Sequence, residues 1–176
     1  PAFDPSIDWF EGVRGGGVRA QRALLRRSRA LRGAYFTYSP QSASSALNPG
    51  RTIGRQLQLA MARRAEPPTD SGAEIISLLA EVGLGPEVVT SLPGELSGGM
   101  CQRAALAIAV APKPQLVIAD EPETGLDPVL RRAVVELLVG VCRDHGAGLL
   151  LISHNHDTVD RIADTVVTLP DPGERA

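Results

Sequence analysis

Leu96-Ser97-Gly98-Gly99-Met100 opens one helix, and Leu116-Val117-Ile118-Ala119-Asp120-Glu121-Pro122 ends one apolar strand on two adjacent carboxylates. A Gly-Gly turn at a helix start leaves backbone N–H groups pointing outward, and with the helix dipole these make a seat for an anion such as phosphate. A carboxylate at the carboxyl end of a parallel strand can hold Mg2+, and a second one beside it can orient or deprotonate a water. Together the two patterns describe half of a nucleotide-hydrolysing site.

Outward from this stretch, the apolar run Leu116 to Ala119 predicts a strand buried on both faces. Asp127 and Pro128 supply an N-cap and a first-turn proline for a helix that carries Leu130, Ala133, Val134, Leu137, Leu138 and Val141 on one face. A second buried strand is expected over Gly148 to Ser153, leading into His154, and a third over Thr165 to Leu169. Strand, helix, strand, helix, strand gives an α/β parallel sheet with right-handed crossovers.

Upstream, Ser6 to Phe10 alternates as a half-exposed strand, and Val18 to Leu31 predicts an arginine-rich helix whose solvated face needs no ligand. Ala34 to Tyr38 is a short aromatic strand that runs into Pro40-Gln41. Two helices follow, Thr52 to Arg64 and Ser71 to Val82, separated by Glu66-Pro67-Pro68-Thr69-Asp70. Ile75, Leu78, Leu79 and Val82 repeat at helical spacing and belong to a core.

The 176 residues are 43% hydrophobic, with 18 basic against 20 acidic side chains, so the chain can bury a core and calls for no polyanionic partner such as nucleic acid. Cys101 and Cys142 lack metal-site spacing and point to neither a disulfide framework nor a zinc site. No apolar run reaches the roughly 18 residues that span a bilayer, and no signal peptide is expected.

In order and spacing these segments resemble the ABC ATPases. Leu96 to Met100 resembles their signature, with Ser97, Gly98 and Gly99 as nucleotide contacts across a dimer. Leu116 to Glu121 resembles the Walker B strand with its following glutamate, and Thr124-Gly125-Leu126-Asp127 the D-loop, with Asp127 at the nucleotide. Gln41 matches the Q-loop glutamine and His154 the switch histidine, the latter preferred over His156 by its spacing from the strand. The resemblance implies that Asp120 and Gln41 hold Mg2+, that Glu121 polarises the attacking water at the γ-phosphate of ATP, and that His154 steadies both. It implies an α/β, P-loop NTPase-like (RecA-like) core with a helical subdomain insert, truncated at the amino end. The expected division is 1–47 and 111–170 for the core, 48–110 for the helical subdomain and 171–176 for a tail.

Ser45-Ala46-Leu47-Asn48-Pro49, Arg51 to Leu57, and Met100 with Gln102-Arg103 resemble the peptide and nickel importer branch. Cys101 and Glu123 depart from its commoner Arg and Thr, and neither is expected to touch the chemistry. The branch implies a head-to-tail homo- or heterodimer of ABC domains at the cytoplasmic face of the membrane, with transmembrane permease subunits and a solute-binding protein. Two other readings are a degenerate, non-catalytic partner that offers its signature to a complete ATPase, and a soluble ABC protein outside transport.

A phosphate-gripping G-x-x-x-x-G-K-[ST] is missing. Gly12 and Gly17 have its glycine spacing, yet Val18 and Arg19 follow, and the sole lysine, Lys113, lies between Pro112 and Pro114. Gly12 to Gly17 is therefore read as a strand-to-helix loop, and the phosphate loop is expected upstream of Pro1.

Overall fold

A computed structural model describes residues 13, 16–41, 46–124 and 126–169. The expected strand Ser6 to Phe10 and the tail from Pro170 lie outside these residues, as do Gly12 and Gly125. Three parallel strands form one sheet in the order β1 (Phe36–Ser39), β2 (Leu116–Asp120), β3 (Gly148–Ile152). The register pairs Ser39 with Ala119 and Asp120 with Ile152, so the carboxyl ends of all three strands meet on one rim. Gln41, Glu121 and His154 are carried just beyond that rim, where open α/β sheets gather their ligands.

Between β1 and β2 the chain forms a helical layer. The arginine-rich segment before β1 is helix α1 (Gly17–Arg27) with a 3-10 turn at Ser28–Ala30, and α1 buries none of its residues, as a solvated face requires. Helix α2 (Ile53–Met61) starts where Thr52 Oγ1 accepts from the Arg55 N–H, and it buries Ile53, Leu57 and Met61 at four-residue spacing. Asp70 caps α3 (Ser71–Glu81) through the N–H groups of Gly72 and Ala73. Gly83, at φ +69°, ends α3 in a Schellman turn in which the Leu84 N–H reaches the Leu79 carbonyl at 2.8 Å. Ile75, Leu78, Leu79 and Val82 are all buried, as their spacing required. With Val88, Val110 and Val117 they form one continuous core that joins this layer to the sheet.

Helix α4 (Gly98–Val110) starts at Ser97, whose Oγ accepts from the Met100 N–H at 3.3 Å, and delivers the chain to β2. Its Cys101 is buried, as is Cys142 on helix α5 (Pro128–Asp144), which crosses from β2 to β3. Burial pushes both thiols up, that of Cys142 to about 11, which leaves each as an inert core residue.

Three expectations are corrected. Helix α5 buries Val135, Leu138, Val141 and Cys142, while Leu130 is 53% exposed and Ala133 also faces out, because the first turn of α5 lies beyond the core that its later turns cover. Strand β3 is covered on one face only: Leu149 and Leu151 pack against the core, whereas Leu150 and Ile152 are about half exposed. Thr165 to Leu169 forms no strand, and Val167 and Leu169 are more than four-fifths exposed. A strand exists through its ladder, and among the described residues this segment pairs with none. β3 leads instead into helix α6 (His156–Ile162), capped by Asn155.

Candidate active site

Strand β2 ends at Asp120, and Glu121 then turns the chain with φ +43°, in the left-handed region that residues other than glycine seldom occupy. Its N–H is held by the Ile152 carbonyl at 2.8 Å, so β3 fixes the turn. Strained backbone at the end of a central strand is a common mark of a functional position.

The Glu121 carboxylate is the hub of a polar cluster. Its Oε1 lies 3.0 Å from His154 Nδ1, and its Oε2 accepts from Gln41 Nε2 at 3.0 Å and from Thr124 Oγ1 at 2.9 Å. The Thr124 and His154 hydrogen bonds hold its pKa below the ordinary glutamate value, so near neutral pH it is ionised and acts only as an acceptor. His154 Nδ1 must therefore be the donor. Beside it, Asp120 Oδ2 accepts from the Tyr38 hydroxyl at 2.7 Å. That bond, followed by desolvation and the charge of Asp120, raises the Tyr38 pKa.

Three strand ends therefore converge: Tyr38 and Gln41 from β1, Asp120 and Glu121 from β2, His154 from β3. Gln41 and His154, chosen by sequence, each touch Glu121. Asp127 stands apart as an N-cap, its Oδ1 accepting from Val129 and Leu130 at 3.0 and 3.1 Å. Ser97, Gly98 and Gly99 are exposed at the start of α4, and a Cβ added at either glycine would meet nothing within 4 Å. Among the described residues no packing demands those glycines. Gln102, one turn along α4, donates to the Pro122 carbonyl and ties the signature helix to the Glu121 turn. His156 is the exposed first residue of α6.

A family model described as ABC transporter matches residues 13–124, more than half of the chain. The chain belongs to the ABC transporter family. Among the similar proteins, the oligopeptide transport ATP-binding protein OppD of Lactococcus lactis is 37% identical over 80% of this chain and 42% of its own length. The probable D,D-dipeptide transport ATP-binding protein DdpD of Escherichia coli is 38% identical over 86% of this chain and 46% of its own length. The chain spans less than half the length of these two relatives. A solved dimeric ATP-binding cassette in a post-hydrolysis state with ADP and phosphate shares the fold at a TM-score of 0.63 and 21% identity, over 76% of this chain and 58% of that one.

Three further residues bond around the 120–123 turn. Tyr38 reads in sequence only as a strand aromatic; the register sets it beside Ile118, two positions short of Asp120, and its hydroxyl reaches Asp120 Oδ2. Gln102 carried family weight but no structural role. Glu123, not expected to touch the chemistry, is buried behind the turn and bonded to Ser153 and Thr158.

Proposed function

We propose that this chain carries the water-activating and Mg2+-holding part of an ATP-hydrolysing subunit that powers an ABC importer, with peptides as the favoured solute. The observation that carries the reading is the ionised Glu121 carboxylate held among His154, Gln41 and Thr124 beside Asp120. The donor set suits the ion. Asp120 Oδ1 and Gln41 Oε1 take no hydrogen bond from the described residues, and both are hard oxygens of the kind Mg2+ prefers. Among the described residues no three His, Cys, Asp or Glu side chains cluster as a metal cage, which fits an ion held by one carboxylate together with substrate phosphates. When bound, Mg2+ neutralises charge on the phosphates.

In this reading Glu121 orients the attacking water and takes its proton. His154, through Nδ1–H, keeps the carboxylate aimed, and Gln41 links that carboxylate to the segment after β1. Ser97, Gly98 and Gly99 serve the site of a second ABC domain in a head-to-tail pair, which accounts for two glycines that no contact among the described residues requires. The helical layer, proposed as a subdomain over 48–110, and the segment after Gln41 meet transmembrane permease subunits at the cytoplasmic face of the membrane, with a solute-binding protein upstream. The relatives named for oligopeptides and D,D-dipeptides favour peptides over nickel. No helix among the described residues is long and apolar enough to cross a membrane.

The phosphate grip comes from outside these 176 residues, since they hold no G-x-x-x-x-G-K-[ST]. That absence also favours a second reading, a non-catalytic partner that lends only its signature. The test is a fusion that places a strand-loop-helix segment bearing G-x-x-x-x-G-K-[ST] ahead of Pro1. Mg2+-dependent ATP turnover is the expected result. A folded fusion that binds Mg-ATP without turning it over contradicts the hydrolytic reading and supports the second.

A further inference from the structure

Glu123 shares the turn of Asp120 and Glu121 but faces inward, with only 3% of its surface exposed. One carboxylate oxygen accepts from Ser153 Oγ and the other from Thr158 Oγ1 at 3.0 Å, and Thr158 is itself buried. A carboxyl group taken out of water needs such donors, so the two hydroxyls are matched to it. Ser153 Oγ in turn accepts from the Asn155 N–H at 3.0 Å, and Asn155 Oδ1 accepts from the Thr158 N–H at 3.3 Å. The result is a closed ring: Glu123 to Ser153, Ser153 to Asn155, Asn155 to Thr158, and Thr158 back to Glu123. His154 is the residue the ring encloses, and its side chain is the one that leaves for solvent and Glu121. On the other side, Glu123 is two residues from Glu121, in a turn closed by the Thr124 N–H on the Glu121 carbonyl at 3.1 Å.

We propose that Glu123 is a positioning residue: its buried carboxylate clamps the 153–155 loop and the first turn of α6 to the 121–124 turn, so that His154 Nδ1 stays on Glu121. The importance of that contact rests on the reading of Glu121 and His154 as a working pair. The clamp itself is a property of the chain without nucleotide. Glutamate at this position is therefore a specific part of this protein's site, and an apolar side chain of similar size cannot replace it. Glutamine can, because both hydroxyl partners can donate to its oxygen or accept from its amide.

The test is the tautomer of His154, read by long-range 1H–15N correlation on the chain as it stands, without nucleotide, at about pH 8.5, where an ordinary imidazole is neutral. His154→Gln assigns the signal. The wild-type chain is expected to show His154 mainly as the Nδ1–H form, and Glu123→Gln to keep it. Glu123→Leu is expected to shift His154 to mainly Nε2–H, the form an unconstrained imidazole prefers. Should Glu123→Leu fail to fold, Thr158→Val, which deletes one hydroxyl at constant shape, and Ser153→Ala carry the same expectation in smaller degree. A folded Glu123→Leu chain with the wild-type pattern overturns the proposal, as does an unchanged pattern in both hydroxyl variants, or a wild-type His154 already mainly Nε2–H. Because no ATP is involved, such a failure leaves the hydrolytic reading to its own test, and loss of turnover in the fusion leaves the clamp to this one.

Discussion

Glu121→Gln, made in the phosphate-loop fusion, lowers ATP turnover at least about 100-fold while Mg-ATP remains bound, a loss within the range of a positioned general base. Glutamine keeps the size and the hydrogen-bonding reach of the glutamate, so the turn at φ +43° and the contacts with Thr124 and His154 have no steric reason to fail. What is removed is the charge. Glu121 is held below the ordinary glutamate pKa by hydrogen bonds from Thr124 and His154, so it meets an incoming water as an anion ready to accept a proton. Binding is expected to be spared because Asp120 and Gln41, the proposed cation ligands, are untouched. Turnover and bound nucleotide measured on one preparation check both halves. Undiminished turnover means that another base serves, and the role given to Glu121 is then wrong.

Leu79→Ala lowers stability by about 3 kcal/mol, within the usual range for deleting a buried leucine. Leu79 is fully buried where α3 meets the other helices of the layer, so truncation leaves a cavity as well as losing apolar burial. For a chain of this length the melting temperature falls by roughly 6–12 °C. Leu130→Ala is the matched comparison, because the same helical periodicity placed both leucines in a core. Leu130 is 53% exposed, and its truncation costs less than about 0.5 kcal/mol. Thermal unfolding of the two variants side by side reads the difference, and equal losses would put Leu130 in a core that the fold denies it.

That pair marks where sequence alone reaches its limit. The cap at Asp127 was legible because capping is local: a side chain answers N–H groups two or three residues away. β2 was legible because an unbroken apolar run ending in two carboxylates leaves few other structures. Leu130 and the segment Thr165 to Leu169 were misread for a shared reason. Periodicity shows that a face is apolar, but whether that face is covered depends on elements elsewhere in the chain. Thr165 to Leu169 has strand composition and no ladder among the described residues.

The site divides in the same way. Gln41, Asp120, Glu121 and His154 were legible as candidates because they stand at strand ends within motif-like stretches, and Gln41 and His154 do reach Glu121. Tyr38 and Glu123 act through contacts 82 and 30 or more residues away in sequence, which only the parallel register brings together. Glu123 was also hidden by its departure from the family pattern. A residue outside a motif reads as tolerated variation until its hydrogen bonds are seen.

In the proposed reading these 176 residues hold the carboxylates for water and Mg2+ but lack the grip for the β- and γ-phosphates. Calorimetric titration of Mg-ATP into the chain as it stands tests that division most directly. No saturable binding is expected below about millimolar nucleotide, a free energy of no more than about 4 kcal/mol. Micromolar binding that disappears with Asp120→Asn would contradict it, because the chain would then possess a phosphate grip that its sequence does not display.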